Sequence, residues 1–200
     1  MTPRPYQSVQ RSQAVDAGRD RIVVAARELL EDDSAEPFSI DAVAQRAGVA
    51  RMTVYNQFES KAGLLEVLFD SLAQRAGMGQ MADIFREKDV LHAFDLYVTL
   101  FGRFWTANRR AHRRLRAAAK QDPVLDAAIV QRNERRRLGL TELVRRLGKS
   151  PPTALPRKDV VGVLFVLLSF DTFDALAGDE RTPLDVVPTI QRLVRLVIGR

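Results

Sequence analysis

The sequence predicts an all-α protein, and three observations carry that expectation. Apolar residues return at helical spacing in one segment after another, no segment alternates as a strand does, and the breaks fall at Gly, Pro and polar capping residues. With 200 residues, of which 46% are hydrophobic and 28% charged, the chain can bury a core in one or two domains.

The first eighteen residues mix Pro3, Pro5, Gln, Ser and Arg without an apolar period, and residues 1–18 read as a flexible arm. Order is expected from Arg19, where Ile22, Val23, Ala25, Ala26, Leu29 and Leu30 form one helical face that ends in Glu31-Asp32-Asp33-Ser34 before Pro37. Ser39 is suited to cap a second helix, because its hydroxyl oxygen can accept from a free backbone N–H of the next turn; Asp41 adds favourable charge at that end. Ile40, Val43, Ala44 and Ala47 face inward, and Gly48 stops the helix. Arg51 to Phe58 makes another short helix with Val54, Tyr55 and Phe58 apolar, so the pair describes a helix-turn-helix. Ser60 can cap a fourth helix carrying Leu64, Leu65, Leu68, Phe69 and Leu72, and Gly77 and Gly79 loosen the pattern after Arg75.

From Asp89, the residues Val90, Leu91, Phe94, Tyr97, Val98, Phe101, Phe104 and Trp105 keep a helical period. A basic helix over 109–120 follows, and Asp122-Pro123 opens the next, which runs to Leu147-Gly148. Ser150-Pro151-Pro152 reads as a loop, Val160 to Leu176 as one strongly apolar helix, and Thr182-Pro183 opens the last helix. Pro188 cannot donate to the carbonyl of Leu184, which predicts a kink or a delayed helix start. About nine helices are expected in all.

Several function classes are disfavoured at this stage. The chain has no cysteine and two histidines, His92 and His112, without convergent carboxylates, so no metal site, cofactor or catalytic triad is expected. The longest nearly apolar stretch, Val160 to Phe170, is too short for a bilayer, and the N-terminal residues lack the apolar segment of a secretory signal. No membrane association and a cytoplasmic location are the expectation. The net charge of +6 is uneven: residues 1–71 hold eight Lys/Arg against eleven Asp/Glu, whereas residues 101–150 hold fourteen against four. A nucleic-acid role must therefore rest on located contacts.

The run from Phe38 to Lys61 supplies such contacts. Ile40-x-x-Val43-Ala44-x-x-Ala47-Gly48-Val49, then Tyr55-x-x-Phe58 and Ser60-Lys61, preceded by the first helix, resembles the DNA-binding segment of the tetracycline-repressor (TetR) family of regulators. The resemblance implies an N-terminal three-helix helix-turn-helix domain at 19–65. It also implies a C-terminal helical-bundle domain at 66–200 that binds an effector and dimerises. The implied function is a ligand-responsive regulator, most often a repressor, acting as a homodimer on a palindromic double-stranded DNA operator. Two departures stand out: Ala50 occupies the position where a Ser commonly caps the recognition helix, and Asp33-Ser34 replaces the usual Gly after helix one.

The chemistry agrees with that layout. A recognition helix entering the major groove by its N-terminal end presents Arg51, Met52, Thr53 and Asn56, of which Arg suits guanine, Asn suits adenine, and Met or the Thr methyl suits thymine methyls. Ser39, Tyr55 and Lys61 suit phosphate contacts, with a core role for Tyr55 as the other reading. Arg4 and Arg11 are either minor-groove contacts or part of the arm. The arginines of 109–137 face solvent, DNA or an anionic effector. Tyr97, Phe101, Trp105 and Phe165 are either core or the wall of an effector pocket, with Arg137 as its polar anchor. The surplus apolar surface of 160–170 and 186–198 predicts a homodimer, with Phe173 and Leu193 in its interface. Rival readings are an enzyme on a helical bundle and a helical adaptor that does not read DNA.

Overall fold

The computed structural model describes residues 5–32, 37–148 and 155–199. Among them the chain forms eleven α-helices and two short 3-10 turns, with no strand. The helices are α1 (Pro5–Glu31), α2 (Ile40–Ala47), α3 (Arg51–Phe58), α4 (Lys61–Arg75), α5 (Met81–Arg86), α6 (Val90–Ala107), α7 (Arg109–Ala119), α8 (Pro123–Arg146), α9 (Arg157–Leu167), α10 (Phe170–Ala177) and α11 (Val187–Val197). They divide into two compact units, Met1–Leu72 with Arg113–Ala128, and Ala73–His112 with Ile129–Arg200. The divisions fall after Leu72, inside α7 and inside α8.

In the first unit α1 packs on α2 and α2 on α3. Ile22, Ala26, Leu29 and Leu30 of α1, Val43 of α2, Val54 and Phe58 of α3, and Leu64, Leu65 and Leu68 of α4 are all buried. Burial of this apolar set, at ~1.5–3 kcal/mol per large side chain, holds α2 and α3, which at 8 residues each are too short to be stable alone. Arg19 fastens the end of α3: its guanidinium donates to the Gln57 carbonyl and lies 4.4 Å from the centroid of the Phe58 ring. The flexible arm expected over residues 1–18 is helical from Pro5 onward. Residues 5–18 lack an apolar stripe, and that absence disguised a helix continuous with the amphipathic part of α1. Arg4, Asp33-Ser34 and Ser150-Pro151-Pro152 lie outside the described residues.

The second unit has its own core, built from Phe94, Tyr97, Val98, Phe101 and Trp105 of α6, Leu140 and Leu143 of α8, Val160 and Leu164 of α9, Phe173 of α10, and Ile190 and Val194 of α11. Three details depart from the sequence expectations. A short helix, α5, follows the 3-10 turn at Met78–Gln80, where Gly77 takes φ 77°. The single helix expected over 160–176 is two, because Ser169 interrupts it and caps α10, accepting from the Thr172 N–H at 3.2 Å. Phe173, expected at a dimer interface, is 0% exposed within one chain and so cannot meet a partner, whereas Leu193 is half-buried. Pro188 acts by delaying a helix: a 3-10 turn at Pro183–Val186 precedes α11, and the proline occupies its first turn, where no N–H is needed.

Candidate nucleic-acid interface

Local chemistry sets the two helices of the motif. The Ser39 hydroxyl accepts from the Ala42 N–H at 3.1 Å and so caps α2, while Gly48, at φ 66°, ends it by donating to the Gln45 carbonyl at 3.1 Å. A left-handed φ favours glycine, which has no Cβ to clash. Ala50 then starts α3 with no side-chain cap, and its carbonyl accepts from the Thr53 N–H at 2.9 Å.

The inward side of α3 is Val54 and Phe58; its outward side is Arg51, Met52 and Asn56, with Thr53 and Tyr55 half-buried. Met52 is 64% exposed, so its thioether is accessible to an apolar group outside the chain. Arg51 is not an isolated cation. One terminal nitrogen donates to both Asp41 carboxylate oxygens, at 2.9 and 2.7 Å, and the other donates to the Tyr55 hydroxyl at 3.3 Å. The Tyr55 hydroxyl and then the Asp41 charge raise the Arg51 pKa above its ordinary value.

Lys61, at the start of α4, donates to Asp122 and lies 5.9 Å from the Phe38 ring centroid. Burial opposes ionisation of Asp122, but the Lys61 ammonium and the Leu125 N–H outweigh it and hold the carboxyl below its usual range. Asp122 also caps α8, accepting from Leu125 at 3.2 Å. Of the seven expected DNA contacts, Ser39, Arg51, Met52, Thr53, Tyr55 and Asn56 thus stand along the capped turn and α3, and Lys61 is already engaged by a carboxylate.

In the second unit, Tyr97, Phe101 and Trp105 are core residues with successive ring centroids 4.9 and 5.7 Å apart. Burial raises the Tyr97 phenol pKa far above its ordinary value, and its hydroxyl donates to the Arg136 carbonyl at 3.2 Å. Arg137, the expected anchor, is half-buried over Phe165, 4.1 Å from the ring centroid, and pairs with Glu134 at 3.3 Å. The arginine that turns inward is its neighbour: Arg136 is 7% exposed, donates to the Leu168 carbonyl at 2.7 Å and lies 4.2 Å from the Phe165 centroid. Its spacing from Leu140 and Leu143 was the available signal, since these share one helical face with it. Arg109, part of the basic stretch, is taken up by Asp174 at 2.5 Å and the Arg181 carbonyl at 2.8 Å.

Comparison with known proteins points the same way. Residues 22–68 match the family of bacterial regulatory proteins, tetR family. The chain is similar to the HTH-type transcriptional regulator EthR of Mycobacterium tuberculosis, 28% identical over 179 residues, covering 85% of this chain and 82% of that protein. EthR of Mycobacterium bovis aligns with the same identity and coverage. Among solved structures, a protein assigned to the TetR family of transcriptional regulators from Mesorhizobium loti superposes with a TM-score of 0.62 at 15% identity, over 92% of this chain and 96% of that one. A transcriptional regulator from Rhodococcus sp. Rha1 superposes with a TM-score of 0.58 at 17% identity, over 90% and 94%. The fold is therefore shared far beyond the helix-turn-helix.

Proposed function

We propose that the chain is a DNA-binding transcriptional regulator of the TetR family, which its residues 22–68 match, and that it acts in the cytoplasm as a homodimeric, effector-responsive repressor on a palindromic operator. The observation that carries the reading is α3 itself, whose Val54 and Phe58 are buried while Arg51, Met52 and Asn56 face outward. DNA contact is assigned to residues within 19–65: Arg51, Met52, Thr53 and Asn56 to bases, Ser39, Tyr55 and Lys61 to phosphates. Residues 66–200 are assigned the effector and dimer functions, and the role is regulatory rather than catalytic.

Dimer formation is supported by the exposed Val166 of α9 and Leu196 of α11, beside half-buried Leu193. A second copy of the same surface would cover them. An effector site is assigned near Tyr97, Phe101, Trp105, Phe165 and Arg137, where a small apolar or anionic molecule would meet aromatic rings and a guanidinium. Its binding would favour a spacing of the two α3 helices that no longer matches successive major grooves, ~34–36 Å apart.

Selection of genomic duplexes with the purified chain tests this. A palindromic duplex should be enriched, and Arg51→Ala should relax one base position by ~1–3 kcal/mol. Equal affinity for every duplex would instead favour a helical adaptor, for which the acidic surplus of residues 1–71 is the supporting observation. Trp105 is the only tryptophan, so its fluorescence reports effector binding directly. An active compound must also weaken DNA binding by the factor that DNA weakens the compound.

A further inference from the structure

We infer that Asp41 is a specificity-determining positioning residue, which holds Arg51 so that its free edge reads a base rather than swinging to a phosphate. The inference rests on the assignment of Arg51 to a base.

The geometry is a three-residue frame. Asp41 lies in the first turn of α2 and Arg51 is the first residue of α3, and the turn at Gly48 brings them together. Both Asp41 oxygens accept from one terminal nitrogen of the guanidinium, at 2.9 and 2.7 Å. Tyr55, one turn along α3, accepts from the other terminal nitrogen at 3.3 Å, and its ring centroid lies 5.6 Å from the guanidinium carbon. A guanidinium has five N–H groups in one plane. This frame leaves the Nε–H and an N–H of the second terminal nitrogen for an outside pair of acceptors, such as O6 and N7 of guanine.

Stability does not account for the frame. The two side chains are 55% and 65% exposed, and exposed ion pairs contribute little. Affinity for DNA does not account for it either, since a carboxylate facing phosphates repels every sequence alike. Discrimination does. An unrestrained arginine reaches phosphates as easily as bases, and loses conformational freedom when it settles on one base. Asp41 reduces both: it fixes the fork beforehand and opposes its swing to a phosphate. Its dipole interaction with α2 is independent of DNA sequence, so it cannot produce a base preference.

The test uses the full chain, a duplex recovered from a randomised pool, its single-base variants, and a mixed-sequence duplex. Asp41→Asn should lower discrimination at the base position that Arg51→Ala relaxes, on the order of tenfold, while binding the mixed-sequence duplex as tightly as the parent or more tightly. In the Arg51→Ala background, Asp41→Asn should relax that position no further. If Asp41→Asn keeps full discrimination and only tightens or weakens all duplexes together, the inference is overturned and Asp41 is a background charge. If Arg51→Ala leaves every base preference intact, the base assignment of Arg51 fails and takes the inference with it, a distinct result. Far-ultraviolet circular dichroism and thermal unfolding of each variant show that the helical fold is kept.

Discussion

Gly63 lies against the last peptide of α3 so closely that a Cβ placed on it would stand 2.1 Å from the Phe58 carbonyl oxygen. The chain reverses between them through Glu59, a non-glycine residue at φ 64°, while the Ser60 hydroxyl accepts from the Gly63 N–H at 3.1 Å. Since the atom in the way belongs to the backbone, it cannot rotate aside. Gly63→Ala should lower stability by about 2 kcal/mol or more, read by thermal unfolding, and disturb the α3 terminus. Glu59→Gly should be neutral or stabilise slightly, because it relieves a left-handed position. An unchanged melting temperature in Gly63→Ala would mean that α4 starts further from Phe58 than described.

The Lys61–Asp122 pair makes a prediction about acid. The folded-state carboxyl titrates below its ordinary value, so the pair's contribution is present above about pH 4 and is lost as pH falls through the lower, folded value. The stability difference between the parent and Asp122→Asn should be flat from pH 5 to 8, at about 1 kcal/mol, and should shrink below pH 4. Urea unfolding across that range measures it. A difference that grows on acidification would contradict the sign.

Phe173 and Leu196 should respond to charge in opposite ways. Leu196 is 68% exposed and Phe173 wholly enclosed. Leu196→Glu should give a folded monomer by sedimentation, because it changes only the proposed pairing surface. Phe173→Glu should fail to fold, as a buried unpaired carboxylate with lost packing costs well over ~3 kcal/mol. Dimers persisting in Leu196→Glu would move the interface elsewhere.

Adjacent arginines on α8 should also differ. Arg136→Ala should cost about 2–4 kcal/mol, since it empties a buried space beside Phe165 and removes a donor to Leu168. Arg136→Met, which refills the space while Trp105 still donates to the Leu168 carbonyl at 3.2 Å, should recover most of that loss. Arg137→Ala should stay within about 0.5 kcal/mol. Chemical denaturation of the three variants gives the order.

What could be read from the sequence was what short-range chemistry decides. Ser39, Asp41 and Gly48 mark α2 through capping and a left-handed turn, interactions spanning a few residues, and α6 declares itself by an unbroken apolar period. Residues 5–18 have no such stripe, so nothing local distinguished their helix from a tail. Arg136 was hidden because a run of arginines looks like a solvated face, although one of them occupies a core position. Phe173 shows a different limit: an apolar period says that a side chain is covered, and not whether its own chain or a second copy covers it. The pairing of Arg51 with Asp41 joins residues ten apart across a turn, and neither periodicity nor motif spacing encodes it.

The break between α9 and α10 falls inside the chain's most apolar stretch. No single helix among the described residues is long and apolar enough to cross a membrane, but α9 and α10 would pass that test together if they were not bent by 49°. The Ser169 hydroxyl and the Thr172 hydroxyl, which donates to the Val166 carbonyl at 2.6 Å, hold the bend. The turn lets one apolar stretch line the core from two directions, with Val160 and Leu164 of α9 and Phe170 and Phe173 of α10 buried in the same cluster. Ser169 and Thr172 thus convert what composition alone would make a rod into a corner of the core.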